Sequence, residues 1–137
     1  LAVVQGDAGA KIRQPGHLGT MDALAVDMYD DEAAAPVFDS ADFYRDCRAL
    51  LTDDGCMTVN LFGRRVEFDR SLAHIVEAFG ADAVWAFRPT REGNTVVLAQ
   101  RQPLRPARAL LLARAETIEE RWGLPARKWL RTFKPVA

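Results

Sequence analysis

Residues 38–62, "FDSADFYRDCRALLTDDGCMTVNLF", combine the two hydrophobic patterns that predict the fold. Over residues 41–51, apolar side chains share one helical face: Phe43, Tyr44, Cys47, Leu50 and Leu51. Either Asp39 or Ser40 can cap the start of this helix. "DDG" is predicted to end the helix, and "CMTVNLF" is typical of a strand that is buried in the core. The stretch therefore predicts an amphipathic helix followed by a buried strand.

Helices and strands alternate in both directions from this stretch. Towards the start of the chain we predict a strand at residues 1–5, a short helix at 8–13 and a strand at 22–27. Towards its end we predict a helix at 65–79, a hairpin formed by "AVWAFR" and "TVVLAQR", and a helix at 107–122. This order predicts an α/β fold with a mostly parallel sheet, covered by helices on both faces, and a C-terminal antiparallel hairpin.

Composition and charge narrow the class of protein. The chain has 137 residues, with 18 Lys and Arg against 19 Asp and Glu, so its net charge is close to zero. A nucleic-acid-binding domain usually has a basic excess, and no apolar run reaches the roughly 18 residues of a membrane span. We therefore expect neither a nucleic-acid nor a membrane partner. Cys47 and Cys56 lack metal spacing and are interpreted as core thiols of a cytoplasmic protein.

Acidic residues crowd together where the second predicted strand ends. Four acids occupy six successive positions: Asp27, Asp30, Asp31 and Glu32. Ligands of open α/β sheets bind beyond the carboxyl ends of the strands. Asp7, Asp27 and Asn60 each lie at or near such an end, so we expect their side chains to meet in one crevice. An acidic crevice of this kind attracts a cationic ligand.

The residues alone leave structural interpretations open as well. Asp7 can close a turn, and Asp27 can cap a loop or a helix. Tyr29 either contacts the substrate or lies at the rim of the pocket. Asn60, an amide within an apolar strand, requires partners and is a second candidate for contacting the substrate. Asp31 and Glu32 are interpreted as solvated.

Three segments, in their order and spacing, resemble a known family. "VVQGDAGAKI", "MDALAVDMYDDEAAAP" and residues 38–62 are similar to the second half of the spermidine synthase family. These proteins are polyamine aminopropyltransferases with a Rossmann-like methyltransferase fold. The resemblance implies that residues 1–101 are the C-terminal half of such a domain and that residues 102–137 are a helical extension. The family's glycine-rich nucleotide loop precedes these segments, so we expect the amino-terminal half to be missing from this sequence.

The resemblance also implies roles for individual residues. Asp7 matches the acid that accepts a hydrogen bond from the adenine amino group, with the backbone of Ala8 beside it. Asp27 matches the acid that deprotonates the attacking amine, and Asp30 matches an acid that holds the amine. The implied co-substrate is decarboxylated S-adenosylmethionine or S-adenosylmethionine, and no cofactor is expected to stay bound. The implied partners are a polyamine and a second copy of the chain in a dimer.

These observations favour transfer of an aminopropyl group from decarboxylated S-adenosylmethionine to a polyamine such as putrescine. Two alternatives stay open, an S-adenosylmethionine-dependent methyltransferase and a catalytically silent homologue that binds a nucleoside. The sequence "DDEAAAP" differs from the "DP.GPA" pattern of active synthases, which is why the silent alternative is kept.

Overall fold

The computed structural model describes residues 2–27, 39–62 and 65–137, and it contains a five-stranded sheet with helices packed against it. The strands are β1 (Met21–Val26), β2 (Leu51–Phe62), β3 (Val84–Ala86), β4 (Asn94–Gln100) and β5 (Lys134–Pro135). The α-helices are α1 (Ala8–Ile12), α2 (Ala41–Leu50), α3 (Arg65–Phe79), α4 (Arg108–Trp122) and α5 (Ala126–Leu130). Short 3-10 turns span Pro15–His17 and Ala81–Ala83.

The sheet is mixed, and its strand order is β1-β2-β4-β3-β5. The predicted α/β class and the β3–β4 hairpin are confirmed. A mostly parallel sheet was predicted, and this was wrong. The β1–β2 pair is parallel, and the other three described pairs are antiparallel. The reason is that the hairpin is not an appendage at the edge of the sheet. Its second strand, β4, lies beside β2 in the middle of the sheet.

The core fills the space between one face of the sheet and helices α2 and α3. Side chains alternate along β2, where Met57, Val59 and Leu61 are buried and the intervening residues are half-buried. Helices α2 and α3 supply the other side, and their buried residues there are Phe43, Tyr44, Cys47, Leu50, Ile75 and Phe79. Ser40 caps α2 by accepting a hydrogen bond from the Phe43 amide at 3.1 Å. Hydrophobic periodicity therefore predicted this layer correctly.

The junction between α2 and β2 differs from the prediction. Helix α2 ends at Leu50 and β2 begins at Leu51, so "TDDG" belongs to the strand and is not a separate turn. The register with β1 shifts between Met21 and Ala23 to accommodate these residues. Gly55 makes the shift possible, because a Cβ atom there would lie 2.7 Å from the Met21 carbonyl oxygen. The backbones of the two strands approach too closely for any other residue at this position.

Gly55→Ala is expected to lower the free energy of unfolding by roughly 1–3 kcal/mol, the usual cost of overpacking a close contact. The clash involves backbone oxygens of Met21 and Thr52, which cannot move away as a flexible side chain would. Urea denaturation followed by circular dichroism measures the difference. Gly16→Ala is the matched control, because a Cβ atom at Gly16 meets nothing within 4 Å. Equal stabilities of the two variants would contradict this account of Gly55.

The predicted strand at residues 1–5 is wrong for the residues that are described. Residues 2–5 are not in a strand, and Val3 and Val4 are 87% and 71% exposed. Two successive valines favour a strand only where a neighbouring strand supplies hydrogen bonds and apolar cover. Within residues 2–27, 39–62 and 65–137, no strand pairs with this segment. Leu1 lies outside the described residues.

The C-terminal segment is joined to the far edge of the sheet. Strand β5 pairs with β3, and the Phe133 ring stacks on the Trp85 ring with centroids 5.0 Å apart. Helix α4 ends at Trp122, and Gly123 follows it in a left-handed conformation with φ of 67°. Trp122, the last residue of α4, is 57% exposed, and the Arg121 guanidinium lies over its ring, 4.8 Å from the centroid. The domain division at residue 101 stays a prediction.

Candidate functional site

A chain of hydrogen-bonded side chains lies where β1 ends. The Asn60 side-chain amide donates from Nδ2 to Oδ1 of Asp27 at 3.1 Å. The Asn94 amide donates from Nδ2 to Oδ1 of Asn60, also at 3.1 Å. Asp27 and Asn60 were predicted to meet from separate strands, and the structure brings them together. Asn94 was not singled out in the sequence.

Sheet register explains why these three residues meet. Val26 pairs with Val59 in the parallel β1–β2 ladder, so Asp27 and Asn60, one residue further along each strand, are neighbours. In the antiparallel β2–β4 ladder Asn60 is opposite Val96, and Asn94 is two residues away on the same face of β4. Diagonal neighbours at this spacing are within reach of each other's side chains. The face that carries Asn60 and Asn94 is the one opposite the α2–α3 core.

Asp27 also lines a cleft of about 260 Å³, which we call the Asp27 cleft. Its lining residues are Ala8, Ile12, Leu24, Ala25, Val26, Asp27, Phe43 and Cys47. The walls are almost entirely apolar, and Asp27 is the charged side chain among these lining residues. An apolar cleft with one carboxylate suits a ligand that combines a hydrocarbon chain with a positive charge.

Asp7 lies on the other side of α1, in a cleft of about 450 Å³ lined by residues between 4 and 14. Ala8 and Ile12 line both clefts, so α1 forms their shared wall. The Asp7 carboxylate accepts a hydrogen bond from the Ala10 amide at 3.1 Å and caps α1. The predicted convergence of three polar side chains is therefore confirmed for Asp27 and Asn60. The prediction is not confirmed for Asp7, which lines a different cleft and is not among the residues that line the Asp27 cleft.

Two predicted substrate contacts, Tyr29 and Asp30, lie outside the described residues, as do Asp31 and Glu32. Their roles stay predictions. The segment that contains them is bounded by Asp27 on one side and by Asp39 on the other.

Asp39 anchors the chain where α2 is about to begin. Its side chain is 5% exposed, and its carboxylate oxygens lie 3.2 Å from Arg70 Nε and 3.4 Å from His74 Nδ1. The Tyr44 hydroxyl donates to the same carboxylate at 3.4 Å. His74 therefore has a structural partner on the neighbouring element. Among the described residues, no group of three or more His, Cys, Asp or Glu side chains is placed to hold a metal ion.

Cys47, at the wall of the Asp27 cleft, is not a nucleophile. Burial raises the pKa of the Cys47 thiol from 9.0 to about 12, and the negative charge of Asp46 adds to the effect. The side chain is 1% exposed, and both cysteines are free thiols. A reactive cysteine needs the opposite environment, one that is partly exposed and electropositive. Cys47 therefore shapes the cleft as a neutral side chain.

Cys47 is expected to resist alkylation by iodoacetamide at about pH 8 until the protein unfolds, whereas the half-buried Cys56 reacts in the native state. Single-cysteine variants, Cys56→Ala and Cys47→Ala, allow each thiol to be followed by mass spectrometry.

The raised pKa of Cys47 also affects how stability depends on pH. The stabilising contribution of the neutral Cys47 thiol to the free energy of unfolding is complete below pH 9.0 and is lost as the pH rises towards about 12. Rapid native-state labelling of Cys47 would contradict both statements.

No helix within the described ranges combines the length and the apolar character needed to cross a membrane.

No protein-family model matches the chain. The chain is 26% identical over 117 residues to a polyamine aminopropyltransferase of Chromobacterium violaceum, covering 85% of this chain and 44% of the relative. It is 25% identical over 133 residues to a polyamine aminopropyltransferase of Neisseria meningitidis, covering 96% of this chain and 49% of the relative. The chain thus spans about half the length of these curated relatives, and the resemblance seen in its motifs is confirmed.

Solved structures show the same fold. A probable spermidine synthase from Corynebacterium glutamicum superposes with a TM-score of 0.67 at 18% identity, over 96% of this chain and 47% of that one. Spermidine synthase from Thermotoga maritima superposes with a TM-score of 0.56 at 16% identity, over 75% of this chain and 36% of that one. The predicted Rossmann-like methyltransferase fold is confirmed.

Proposed function

We propose that this relative of the polyamine aminopropyltransferases contributes the amine-activating part of a spermidine synthase-like active site. The reaction transfers an aminopropyl group from decarboxylated S-adenosylmethionine to a polyamine such as putrescine. The observation that carries the proposal is the position of Asp27, at the carboxyl end of β1, at an apolar cleft and hydrogen-bonded to Asn60. A location in the cytoplasm and assembly into a dimer are part of the proposal.

The chemistry requires an acceptor for a proton. A polyamine is protonated at neutral pH, and an ammonium nitrogen has no lone pair with which to attack carbon. The proposed role of Asp27 is to take that proton. The amine nitrogen then bonds to the aminopropyl carbon, and the bond between that carbon and the sulfonium sulfur breaks. Its electron pair goes to sulfur, which leaves as the neutral thioether of methylthioadenosine.

The Asn60 bond suits Asp27 to this role. The Asn60 amide orients the carboxylate by holding one of its two oxygens. The bond is made to Oδ1, and we assign the proton transfer to Oδ2. The apolar walls of the cleft fit the methylene groups of a polyamine. The proposed anchor for the distal ammonium group is Asp30, with Tyr29 beside it.

The adenosine end of the co-substrate is assigned to the other side of α1. Asp7 is proposed to accept a hydrogen bond from the adenine amino group, with the Ala8 backbone next to it. Because Ala8 lines both clefts, a ligand that passes along α1 connects the adenine position to Asp27. This arrangement would place the sulfonium near the attacking amine. Holding the two reactants in this way is the main catalytic contribution that the transfer requires.

The test is a transfer assay on the natural full-length protein. Decarboxylated S-adenosylmethionine is supplied with putrescine or longer polyamines, and methylthioadenosine and the aminopropylated product are quantified together. Equimolar formation of both products is expected. Methyl transfer from S-adenosylmethionine, with no aminopropyl product, would replace the proposal with a methyltransferase. Nucleoside binding by calorimetry without either reaction would identify a silent homologue.

A further inference from the structure

We infer that Asn94 is a positioning residue for Asp27, acting through Asn60, and that its hydrogen bond holds the Asn60 amide in the orientation that presents Nδ2 to the carboxylate. The inference rests on the proposed function, in which Asp27 accepts a proton. It goes beyond that function by giving a role to the hairpin between β3 and β4.

The direction of the hydrogen bonds among Asp27, Asn60 and Asn94 follows from which of their groups can donate and which can accept. An ionised carboxylate only accepts hydrogen bonds, so Asn60 must present its Nδ2 group to Asp27. The Asn60 amide is planar, and its Oδ1 therefore points away from Asp27, towards Asn94. Asn94 must in turn present its own Nδ2 group, as it does at 3.1 Å. The Asp27 carboxylate therefore determines the orientation of the Asn60 amide, and Asn60 in turn determines that of the Asn94 amide. The two hydrogen bonds run in one direction, from Asn94 to Asn60 and from Asn60 to Asp27.

Asn94 is well placed to hold this direction because its backbone is tied into the hairpin turn. The Thr90 amide donates to the Asn94 carbonyl oxygen at 2.7 Å, and the Asn94 amide donates to the Thr90 hydroxyl at 3.2 Å. Gly93, with φ of 97°, closes the turn in a conformation that favours glycine. The side chain of Asn94 thus extends from a rigid base, and it is half-buried.

A half-turn of the Asn60 amide would aim its oxygen at the Asp27 carboxylate, which repels it, so Asp27 selects the orientation and the Asn94 hydrogen bond holds the amide in it. Asn94→Ala removes the hydrogen bond that Asn94 donates to Oδ1 of Asn60 and so holds the Asn60 amide less firmly. Asn94→Asp reverses the polarity, because a carboxylate at position 94 accepts where the amide donated. The second variant should therefore draw the Asn60 NH₂ group towards position 94 and away from Asp27.

Nuclear magnetic resonance tests the orientation without reference to activity. In the wild-type chain the Asn60 side-chain NH₂ protons should show contacts to the Asp27 β-protons. In Asn94→Asp these contacts should be lost and replaced by contacts to the β-protons at position 94. Glu92→Gln, at an exposed position of the same turn, is the matched control and should retain the wild-type contacts. Unchanged Asn60 contacts in Asn94→Asp would overturn the inference.

Steady-state kinetics on the natural full-length protein test whether a changed orientation of Asn60 lowers the rate of transfer. Asn94→Asp should lower kcat about 10- to 100-fold, the effect of losing one hydrogen bond to a charged group, with the KM for the nucleoside unchanged. Asn94→Ala should show a smaller change in the same direction.

Added salt separates the hydrogen-bond effect from simple repulsion by the new charge. Repulsion is screened at about 1 M salt, whereas the reversed hydrogen bond is not. A defect of Asn94→Asp that disappears in salt would overturn the inference, as would reorientation of Asn60 with unchanged kcat. If the wild-type protein transfers no aminopropyl group, the proposed function fails, and the resonance experiment still decides whether Asn94 orients Asn60.

Discussion

Asp27→Asn is expected to lower the kcat of aminopropyl transfer by about 10²–10⁴-fold, the usual contribution of a general base. The variant keeps the shape of the side chain and an oxygen that can accept the hydrogen bond from Asn60. It loses the ability to take a proton from the amine. Binding of methylthioadenosine, measured by calorimetry, should change little, because Asp27 is assigned to the amine and not to the nucleoside.

The pH dependence of Asp27→Asn distinguishes a base from an anchor. As the pH rises, a larger fraction of the free amine is already deprotonated, so the defect should shrink. Steady-state kinetics from about pH 7 to pH 10 measure this recovery. Asp53→Asn, at an exposed position of β2, is the control for a generic effect of removing a carboxylate. Wild-type kcat in Asp27→Asn would show that the base lies elsewhere.

Asp7→Ala is expected to weaken the binding of adenosine ligands by about 10- to 100-fold, which corresponds to one lost hydrogen bond to a charged acceptor. Asp7 also caps α1 through the Ala10 amide, so the alanine variant loses the cap as well. Loss of a cap costs typically about 1 kcal/mol of stability. Calorimetric affinity and the free energy of unfolding must therefore be measured together.

Asp7→Ser separates the two roles of Asp7. Serine is a good capping residue, so it should retain the stability of α1, but its hydroxyl is too short to keep the contact proposed for the adenine amino group. Affinity should fall in both variants, while stability should fall mainly in Asp7→Ala. Inosine analogues lack the amino group and should bind weakly to all three proteins. Equal losses for adenosine and inosine analogues would assign Asp7 to the helix cap alone.

Much of the candidate site was predictable because its parts are local. The carboxyl end of a predicted strand directed attention to Asp27, and the amide within an apolar strand directed attention to Asn60. Their contact followed from one assumption, that the two strands are parallel neighbours, and β1–β2 satisfies it. Asn94 was not predictable in the same way. Asparagine after glycine at a strand start is an ordinary turn signal, and nothing local indicates which strand will lie beside it.

The sequence by itself determined the elements whose stability comes from one hydrophobic face. Helices α2 and α3 were predicted from periodicity, because a residue's place on a helix depends only on its spacing, and β2 was predicted from its run of apolar residues. Tertiary structure alone decided which strands became neighbours. It placed β4 between β2 and β3, which makes the sheet mixed and brings Asn94 to Asn60. It also left Val3 and Val4 outside the sheet despite their strand propensity. The physical reason is that strand pairing depends on hydrogen bonds and burial supplied by distant segments, which no local pattern of side chains specifies.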